Sequence, residues 1–347
     1  MSGRELARWA RIVTSNRLIP VGSDFRNTGN GGSTFGGDLC TPLPRLLAAL
    51  TQTPHVGGTV PRSDSIPLFM ELCAGLAAVS LMLEGGKHAK PPVSRCGNKR
   101  GYALAILRCM GLRPGQGAHH YLWCEPDPGV RLLLEAYRDP ELARAAAEVI
   151  RGWADEEPRA LWERLRAEGP VVDTTPREVG RWLLVRWQTV GQAPSGGFRA
   201  SAGGRWPDTP PKPRTLAANM PKGLASPATI LRDARDVDPA RVPPGTVAYV
   251  DPSYVGTTGY EDNLTRDEVC AMAERWASAG ALVCISEAEP IEELGWHTVE
   301  ITSQRSGQKR TFSKQQREWL TMSQPPRWKP AVQHNLFGPA TVDTGRR

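Results

Sequence analysis

The chain has 347 residues, of which 40% are hydrophobic, enough for one large domain or two ordinary ones. Its formal net charge of +7 suits a polyanionic partner, although charge bears on association rather than on fold. No run approaches the roughly 18 apolar residues of a membrane span, and residues 1–20 show no secretory signal. We therefore expect a cytoplasmic protein without a membrane partner.

Cysteine usage indicates a reducing compartment. The seven cysteines are odd in number and form no C-x-x-C pair, so we expect buried free thiols rather than disulfides. His119 and His120 have no cysteine pair at the spacing of zinc ligands, and we expect no bound metal.

Residues 1–66 are interpreted as a partly flexible N-terminal extension. Residues 22–37 are rich in Gly, Ser, Thr and Asn, a composition typical of loops. The character of the sequence changes at Ile66, where the apolar patterns of a folded core begin.

The first unit of this core is a strand, a turn and a helix. Residues 68–72 are an apolar strand run, Cys73-Ala74-Gly75 is a turn of small residues, and a helix of residues 77–83 ends at a glycine pair. Such a turn lets a nucleotide-like ligand approach the backbone. Glu71 is placed to reach a ligand amine, although an ordinary βα unit would have the same pattern.

A basic loop at residues 87–101 precedes a predicted helix at 102–110, and Lys99 lies at its end. Residues 121–125 predict a second strand that ends in Glu125-Pro126-Asp127. An acid at the end of the second strand of a doubly wound sheet commonly binds ribose hydroxyls.

A helical region and a basic loop follow. Apolar residues at helical spacing predict helices at 130–137, 141–153, 158–168 and 177–188. Residues 191–224 lose this periodicity and interleave arginines and lysines with Phe198 and Trp206. Such a loop suits backbone contact and base stacking on DNA, while a disordered linker is the alternative interpretation.

The most informative stretch is a buried strand at residues 247–250 that ends in Asp251-Pro252-Ser253-Tyr254. A carboxylate accepts a hydrogen bond from an amino group, proline removes a backbone donor, and tyrosine stacks on a flat ring. These residues form a clamp for the exocyclic amine of a heterocyclic base. The simpler interpretation is a strand end followed by a proline turn.

Flanking elements complete an α/β pattern. A short strand at residues 229–231 leads to Asp233. Thr265 with Glu268 predicts a capping box at the start of a helix that runs to about residue 278. Strands are predicted at residues 281–286, 296–301 and 317–322, with a basic segment at 303–310 before the last strand.

The order of these pieces resembles that of the Dam-like DNA adenine methyltransferases, the amino-methyltransferases of the alpha type. The Asp251-Pro252-Ser253-Tyr254 stretch resembles the D-P-P-Y motif of that family, over a likeness that covers roughly residues 67–325. The other likenesses are residues 70–81 to its F-x-G-x-G region, 94–100 to its G-G-K motif, 125–127 and 138–141 to its N-D-x-N and R-D-P-E stretch, 260–286 to its post-catalytic helix and strand, and Arg305-Ser306 to its R-S loop near DNA.

Several departures mark a divergent branch of that family, which we expect to be phage-encoded. Ser253 replaces the second proline of the motif, and Leu76 and Ala77 stand about where the family has glycine. The G-N-K element that ends at Lys99 follows the cofactor turn, whereas in the family it precedes the turn. Glu287 stands where the family often has Asn.

The resemblance implies an α/β fold with a Rossmann-like S-adenosylmethionine-dependent methyltransferase sheet, helices on both of its faces, and a smaller helical and loop region that recognises DNA. The implied partner is double-stranded DNA. The implied parts are the extension at residues 1–66, a cofactor-binding part at 67–128, a target-recognition region at 129–224, a catalytic part at 225–325 and a flexible tail at 326–347.

The resemblance also implies a mechanism. The target adenine is flipped out of the duplex, Asp251 and the Pro252 carbonyl bind its N6 amine, Tyr254 stacks on its ring, and the methyl group passes directly from S-adenosylmethionine. Ser253 completes the catalytic stretch. The implied cofactor residues are Glu71 near the methionine amine, Lys99 near the methionine end, Glu125 or Asp127 at the ribose, Asp233 at the adenine, and Cys73, Ala74 and Gly75 in the turn. The implied DNA contacts are Arg199, Arg205, Lys212, Arg305, Ser306 and Lys309.

Other functions stay open at the level of sequence. The clamp would serve the N4 amine of cytosine as well as the N6 amine of adenine. Methylation of another target, such as RNA or a protein amide, is a further alternative, and the basic loop would also suit RNA. Ser253 and the altered turn motivate a protein of another class, a DNA-binding or clamp-binding protein that has lost catalysis. Binding of S-adenosylmethionine separates the two classes, because the enzyme requires it and the inactive binder does not.

The C-terminal tail carries one further pattern. Gln333, Leu336 and Phe337 fit the Q-x-x-L-F pattern of peptides that bind bacterial sliding clamps, in a proline-rich stretch where such peptides usually occur. A chance match is the alternative interpretation of so short a pattern.

Deletion of residues 333–337 is expected to leave methyl transfer on naked oligonucleotides unchanged, because the pattern lies outside the stretch that resembles the enzyme. Binding to an immobilised bacterial sliding clamp is expected to be lost, both in the deletion and in a variant with only Leu336→Ala and Phe337→Ala. A large loss of transfer on naked DNA would argue against the clamp-peptide interpretation.

Overall fold

The computed structural model describes residues 66–93, 99–170, 173–189, 196–198, 213–220, 223–253, 264–301 and 318–328. All of them belong to one of the two units into which the chain divides, the unit that begins at Pro61. Nearly all of the predicted N-terminal extension and most of the tail lie outside the described residues.

The described residues include a seven-stranded mixed sheet with the strand order β3-β2-β1-β4-β5-β7-β6. β7 is antiparallel to both of its neighbours, and the other pairs are parallel. The central strands are buried on both faces, which is why their sequences read as continuous apolar runs. The strands are β1 (Phe69–Leu72), β2 (Tyr121–Cys124), β3 (Ala228–Leu231), β4 (Val247–Val250), β5 (Leu282–Glu287), β6 (His297–Ile301) and β7 (Glu318–Met322).

The direction in which the sheet grows reverses beside β1. The chain moves outward from β1 through β2 to β3 and then returns to place β4 on the other side of β1. Open α/β sheets bind ligands outside the carboxyl ends of their strands at such a switch point. The predicted α/β class is confirmed. A ligand site is expected at the carboxyl ends of β1 and β4, on either side of the switch point.

Eight α-helices accompany the sheet within the described residues. α1 lies over one face, because the Nε1–H of Trp123 in β2 donates to Ser80 Oγ of α1 at 2.9 Å. α3 lies on that same face, because its Tyr137 packs edge-on against the Trp123 ring. The helices are α1 (Ala78–Gly85), α2 (Ala103–Cys109), α3 (Pro128–Arg138), α4 (Pro140–Gly152), α5 (Pro158–Ala167), α6 (Pro176–Trp187), α7 (Pro213–Ala218) and α8 (Arg266–Ser278).

The opposite face of the sheet is covered by α8. The strand register places Trp123 level with Glu71, Tyr249 and Cys284, so these side chains share the α1 face. Glu287 lies three residues beyond Cys284 and therefore points to the other face, where Arg266 Nη1 of α8 lies 3.9 Å from its Oε1. Helices thus flank the sheet on both sides.

Helix starts follow from local sequence signals. Helices α3, α4, α5 and α6 each begin with a proline, which fits the first helical turn because that position needs no N–H. The residue before each proline caps the helix with its side chain: Asp127, Asp139, Glu157 and Thr175. α8 begins with the predicted capping box, in which Thr265 N donates to Glu268 Oε2 at 2.8 Å. The predicted helices are confirmed to within a few residues.

One prediction for the region between α6 and β3 was wrong. Residues 213–218 form α7 although the segment 191–224 lacks helical periodicity. Leu216 and Ala217 of α7 are buried, and the helix packs against α4. Six residues are too few to show a periodic pattern, and so short a helix depends on tertiary packing. The chain then returns to the sheet, where Leu224 N donates to the Tyr137 carbonyl at 2.8 Å.

The described cysteines are all free thiols, as predicted, but only Cys109, Cys124 and Cys284 are buried. Cys73 and Cys270 are partly exposed, so the expectation of uniform burial was wrong. None of the helices in the described ranges has the length and apolarity of a membrane span.

Gly129→Ala is expected to destabilise the fold by about 1–3 kcal/mol, the usual cost of overpacking. A Cβ at Gly129 would lie 1.9 Å from Trp182 Nε1, and the Trp182 ring is itself buried. Urea denaturation measures the effect. Gly152→Ala is the matched control, because its Cβ would meet no atom within 4 Å; it should be neutral or stabilise the helix by up to about 1 kcal/mol. Equal unfolding midpoints for the two variants would contradict the packing account.

Candidate functional site

Acidic side chains gather at the carboxyl edge of the parallel strands. Leu72 at the end of β1 lies level with Cys124 of β2 and Val250 of β4. The next residue of each strand therefore leaves the sheet at the same level. Because β7 runs in the opposite direction, its first residue also lies at this edge. The acids of this edge are Glu71, Glu125, Asp233, Asp251, Glu287 and Glu318.

Three of these acids lie near the thiol of Cys73 in the β1–α1 turn. Burial raises the pKa of the Cys73 thiol, and the negative charges of Asp251, Glu125 and Asp233 raise it further. These acids come from β4, β2 and β3, so the three strand ends converge on the β1–α1 turn. The predicted cofactor turn and the predicted catalytic stretch are therefore neighbours in space.

The β1–α1 turn has an unusual backbone. Cys73, Gly75 and Ala77 all have positive φ, at 87°, 50° and 49°. The turn is held by Cys73 N and Ala74 N, which donate to the Cys124 carbonyl at 3.1 and 2.8 Å. Left-handed backbone at non-glycine residues costs on the order of 1–2 kcal/mol each and clusters at ligand sites. A Cβ at Gly75 would meet no atom within 4 Å, so a ligand has room against the backbone here.

Glu125 joins β2 to this turn. Its Oε2 accepts from Gly75 N at 2.8 Å and its Oε1 accepts from Asp127 N at 3.0 Å. The side chain is buried. Glu125 thus lies beside the turn, where the sequence predicts a residue that binds ribose hydroxyls.

Asp127 and Asp233 are held in structural contacts. Asp127 Oδ1 accepts from Gly129 N at 2.9 Å as the cap of α3, and its Oδ2 lies 3.7 Å from Arg186. Asp233 forms an ion pair with Arg235, whose Nη2 lies 2.6 Å from Asp233 Oδ2. The hydrogen bond from Arg235 holds the pKa of the Asp233 carboxyl below its ordinary value. Both acids lie at the predicted edge, but the sequence did not predict their arginine partners.

Glu71 lies beneath the turn rather than in the open site. Its side chain is only 2% exposed, and its Oε1 accepts from Ser80 N in the first turn of α1 at 2.8 Å. Burial raises the pKa of Glu71 to about 8, although the Ser80 N–H opposes the shift. A ligand amine would reach this carboxyl only if the turn opened, so the sequence prediction for Glu71 does not match its position.

Asp251 and Lys99 form a close ion pair at the end of β4. Lys99 Nζ lies 2.6 Å from Asp251 Oδ1 and 3.6 Å from Glu318 Oε1. Lys99 and Glu318 are buried, whereas Asp251 is 20% exposed. Burial raises the pKa of Asp251, and the charge of Lys99 opposes that rise. Burial lowers the pKa of Lys99, but its two carboxylate neighbours outweigh it and leave that pKa raised.

The second oxygen of Asp251 is not engaged by the described residues. Asp251 Oδ2 has no hydrogen-bond partner among the described residues, and the side chain is partly exposed. Pro252 is buried and Ser253 is partly exposed. Behind them, Tyr249 OH lies 2.7 Å from Ser286 Oγ and braces the ends of β4 and β5. One carboxylate oxygen is thus bound by Lys99, and the partial exposure of the side chain leaves the other accessible to a ligand.

Sequence reasoning noted Glu287 only as a departure from the family pattern and missed Glu318. Burial raises the pKa of Glu287 to about 7, and Glu318 is 3% exposed. Glu318 could have been found because it is a charged residue at the start of a mostly apolar strand. A charge buried in such a strand needs a partner.

The other residues of the predicted sites cannot be placed. The predicted base-stacking residue, the DNA contacts and the clamp-binding residues lie outside the described ranges: Tyr254, Arg199, Arg205, Lys212, Arg305, Ser306, Lys309, Gln333, Leu336 and Phe337. Within the described ranges, no group of three or more His, Cys, Asp and Glu side chains is arranged to hold a metal ion.

Comparison of the sequence with protein-family models and with curated proteins gives no match.

The buried Glu71 predicts a pH-dependent stability. Its carboxyl has a pKa of about 8 in the folded protein against 4.5 ordinarily, so the folded state binds more protons between these pH values. The free energy of unfolding should therefore fall as the pH rises from about 5 to 8, by on the order of a few kcal/mol.

Urea denaturation at several pH values measures this decline. Glu71→Gln should flatten the decline, because the amide keeps an acceptor for Ser80 N–H and does not titrate. Any decline that remains in this variant is expected from Glu287, whose pKa is also raised by burial. Glu274→Gln, on the exposed side of α8, should leave the decline as it is. An unchanged slope in Glu71→Gln would show that Glu71 ionises normally.

Proposed function

We propose that the chain is an S-adenosylmethionine-dependent DNA methyltransferase that transfers a methyl group to the exocyclic N6 amine of a flipped-out adenine. One observation carries the proposal. Asp251 and Pro252 follow β4 directly beside the β1–α1 turn, and Asp251 has a carboxylate oxygen without a partner among the described residues. A site for a nucleotide-like cofactor and a site for an amine thus adjoin at the switch point of the sheet.

The residues of the turn fit the cofactor. The space at Gly75 admits a ligand against the backbone, and Glu125 beside it is an acceptor for ribose hydroxyls. The negative charge of the edge suits a ligand that carries an ammonium and a sulfonium group. When bound, S-adenosylmethionine supplies an electrophilic methyl group.

The residues after β4 fit the amine of a base. Asp251 Oδ2 accepts one N–H of the amine, and the Pro252 carbonyl accepts the other. These two acceptors orient the nitrogen toward the cofactor side of the site, which is the geometric requirement for direct transfer. By the resemblance, Tyr254 stacks on the base ring. The adenine is unstacked from the duplex at a cost of a few kcal/mol.

The fold agrees with the Rossmann-like methyltransferase sheet that the resemblance implies. Five parallel strands in the order β3-β2-β1-β4-β5 form its doubly wound part, and the reversed β7 brings a further acid to the edge. The helical insertion between β2 and β3 is the proposed target-recognition region, and the net charge of +7 suits double-stranded DNA.

The test is incubation of purified protein with S-adenosylmethionine and DNA of varied sequence, followed by digestion to nucleosides and mass spectrometry. N6-methyladenine is the expected product. N4-methylcytosine would keep the mechanism and change the base. The absence of both products, together with no binding of S-adenosylmethionine, would overturn the proposal in favour of a non-catalytic DNA-binding protein.

Asp251→Ala is expected to abolish transfer in this assay, a loss of about 100-fold or more, because the amine loses its acceptor. The affinity for S-adenosylmethionine, measured by calorimetry, should stay within a few-fold of that of the unaltered protein. Asp251→Asn keeps the shape of the side chain and controls for packing. Normal transfer in both variants would contradict the catalytic role of Asp251.

A further inference from the structure

Lys99, Asp251 and Glu318 come from distant parts of the chain and form one network of charged side chains. Lys99 begins a short 3-10 helix ahead of α2, Asp251 directly follows β4, and Glu318 begins β7. Lys99 Nζ lies between the two carboxylates, 2.6 Å from Asp251 and 3.6 Å from Glu318. The antiparallel direction of β7 is what brings Glu318 to this edge.

This arrangement is poorly explained by stability alone. Lys99 is 5% exposed and Glu318 is 3% exposed, and desolvating such groups costs several kcal/mol per ion before pairing offsets it. Apolar residues of similar volume often replace a buried ion pair with no loss of stability. We therefore expect these charged side chains to have a function that apolar side chains could not perform.

The network leaves the carboxylate of Asp251 with two different oxygens. Lys99 binds Oδ1, which fixes the rotation of the carboxylate, and Oδ2 is left for a ligand. Glu318 approaches Lys99 from a second direction and so holds the ammonium in place. Because Glu318 also competes for Lys99, it limits how strongly Lys99 favours the ionised form of Asp251.

We propose that Lys99 and Glu318 are positioning residues that act through Asp251: Lys99 keeps it ionised and turned toward the amine, and Glu318 holds Lys99 in place and moderates its effect. The inference rests on the proposed function. It replaces the role near the methionine end of the cofactor that the family resemblance implies for Lys99.

The ionisation of Asp251 depends on every titratable group around it. Among the described groups that face Asp251, Lys99 is the one with a positive charge, so its removal should shift the pKa of Asp251 most. The groups are Glu71 of β1, Cys73 of the turn, Tyr249 of β4, Glu287 of β5, Glu318 of β7 and Lys99 itself.

Substitution of Lys99 and of Glu318 should shift the pH profile of kcat in opposite directions. Loss of Lys99 removes the charge that stabilises the Asp251 carboxylate, so the acid limb of the pH profile of kcat should move to higher pH by about one unit or more in Lys99→Met. Loss of the Glu318 charge removes a carboxylate that competes with Asp251 for Lys99, so the acid limb should move to lower pH in Glu318→Gln. Lys99→Arg keeps the charge and should stay near the unaltered profile.

The experiment measures kcat for methyl transfer to DNA from pH 5 to 9, with the affinity for S-adenosylmethionine measured in parallel. Lys87→Met removes an exposed lysine outside the site and should match the unaltered protein. Shifts of the same sign in Lys99→Met and Glu318→Gln, or no shift in either, would overturn the proposal. So would a loss of cofactor affinity in Lys99→Met with an unmoved acid limb, which would place Lys99 at the cofactor.

A second measurement separates this proposal from the proposed function. The ¹³C carboxyl signal of Asp251, assigned with Asp251→Asn, titrates in the free protein whether or not methyl transfer occurs. Its midpoint should rise in Lys99→Met and fall in Glu318→Gln, and an unmoved midpoint would refute the positioning roles. No transfer by the unaltered protein, together with these shifts, would refute the methyltransferase alone. If Lys99→Met fails to fold, the direction of the shift in Glu318→Gln decides.

Discussion

The parallel pairing of β1 with both β2 and β4 is the constraint on which the site depends. In this register Leu72 lies level with Cys124 and Val250, so the turn after β1 and the acids after β2 and β4 leave the sheet together. A slip of one residue in either pair would turn these side chains to the opposite face. The geometry of the site is thus set by the burial of apolar strands on both faces, which specifies the register.

Most of the carboxylates gathered at this edge are taken up by the fold itself. Glu71 binds the first turn of α1, Glu125 ties two strand ends together, and Asp233 binds Arg235. Asp251 differs because it combines partial exposure with an oxygen that has no partner among the described residues. An acidic edge therefore does not present many equivalent acceptors, and one carboxylate is singled out by what its neighbours already bind.

Local signals made much of the fold predictable. Proline with a preceding cap marks the starts of α3 to α6, and unbroken apolar runs mark β1 and β4, because these features depend on adjacent residues. The position of Asp251 at a strand end followed in the same way. The contacts of Lys99 with Glu318 and of Asp127 with Arg186 did not follow, because they join segments far apart in sequence. α7 was missed because its few residues carry no periodic pattern.

The bond between Leu224 N and the Tyr137 carbonyl closes the helical insertion at its base. The segment that holds α4 to α7 therefore departs from the end of α3 and returns beside it. A segment whose ends meet can be lengthened, shortened or exchanged between relatives while the strands beneath it keep their pairing. Natural selection can then change the length and the outer surface of this segment while the strands and the acids at their ends stay as they are.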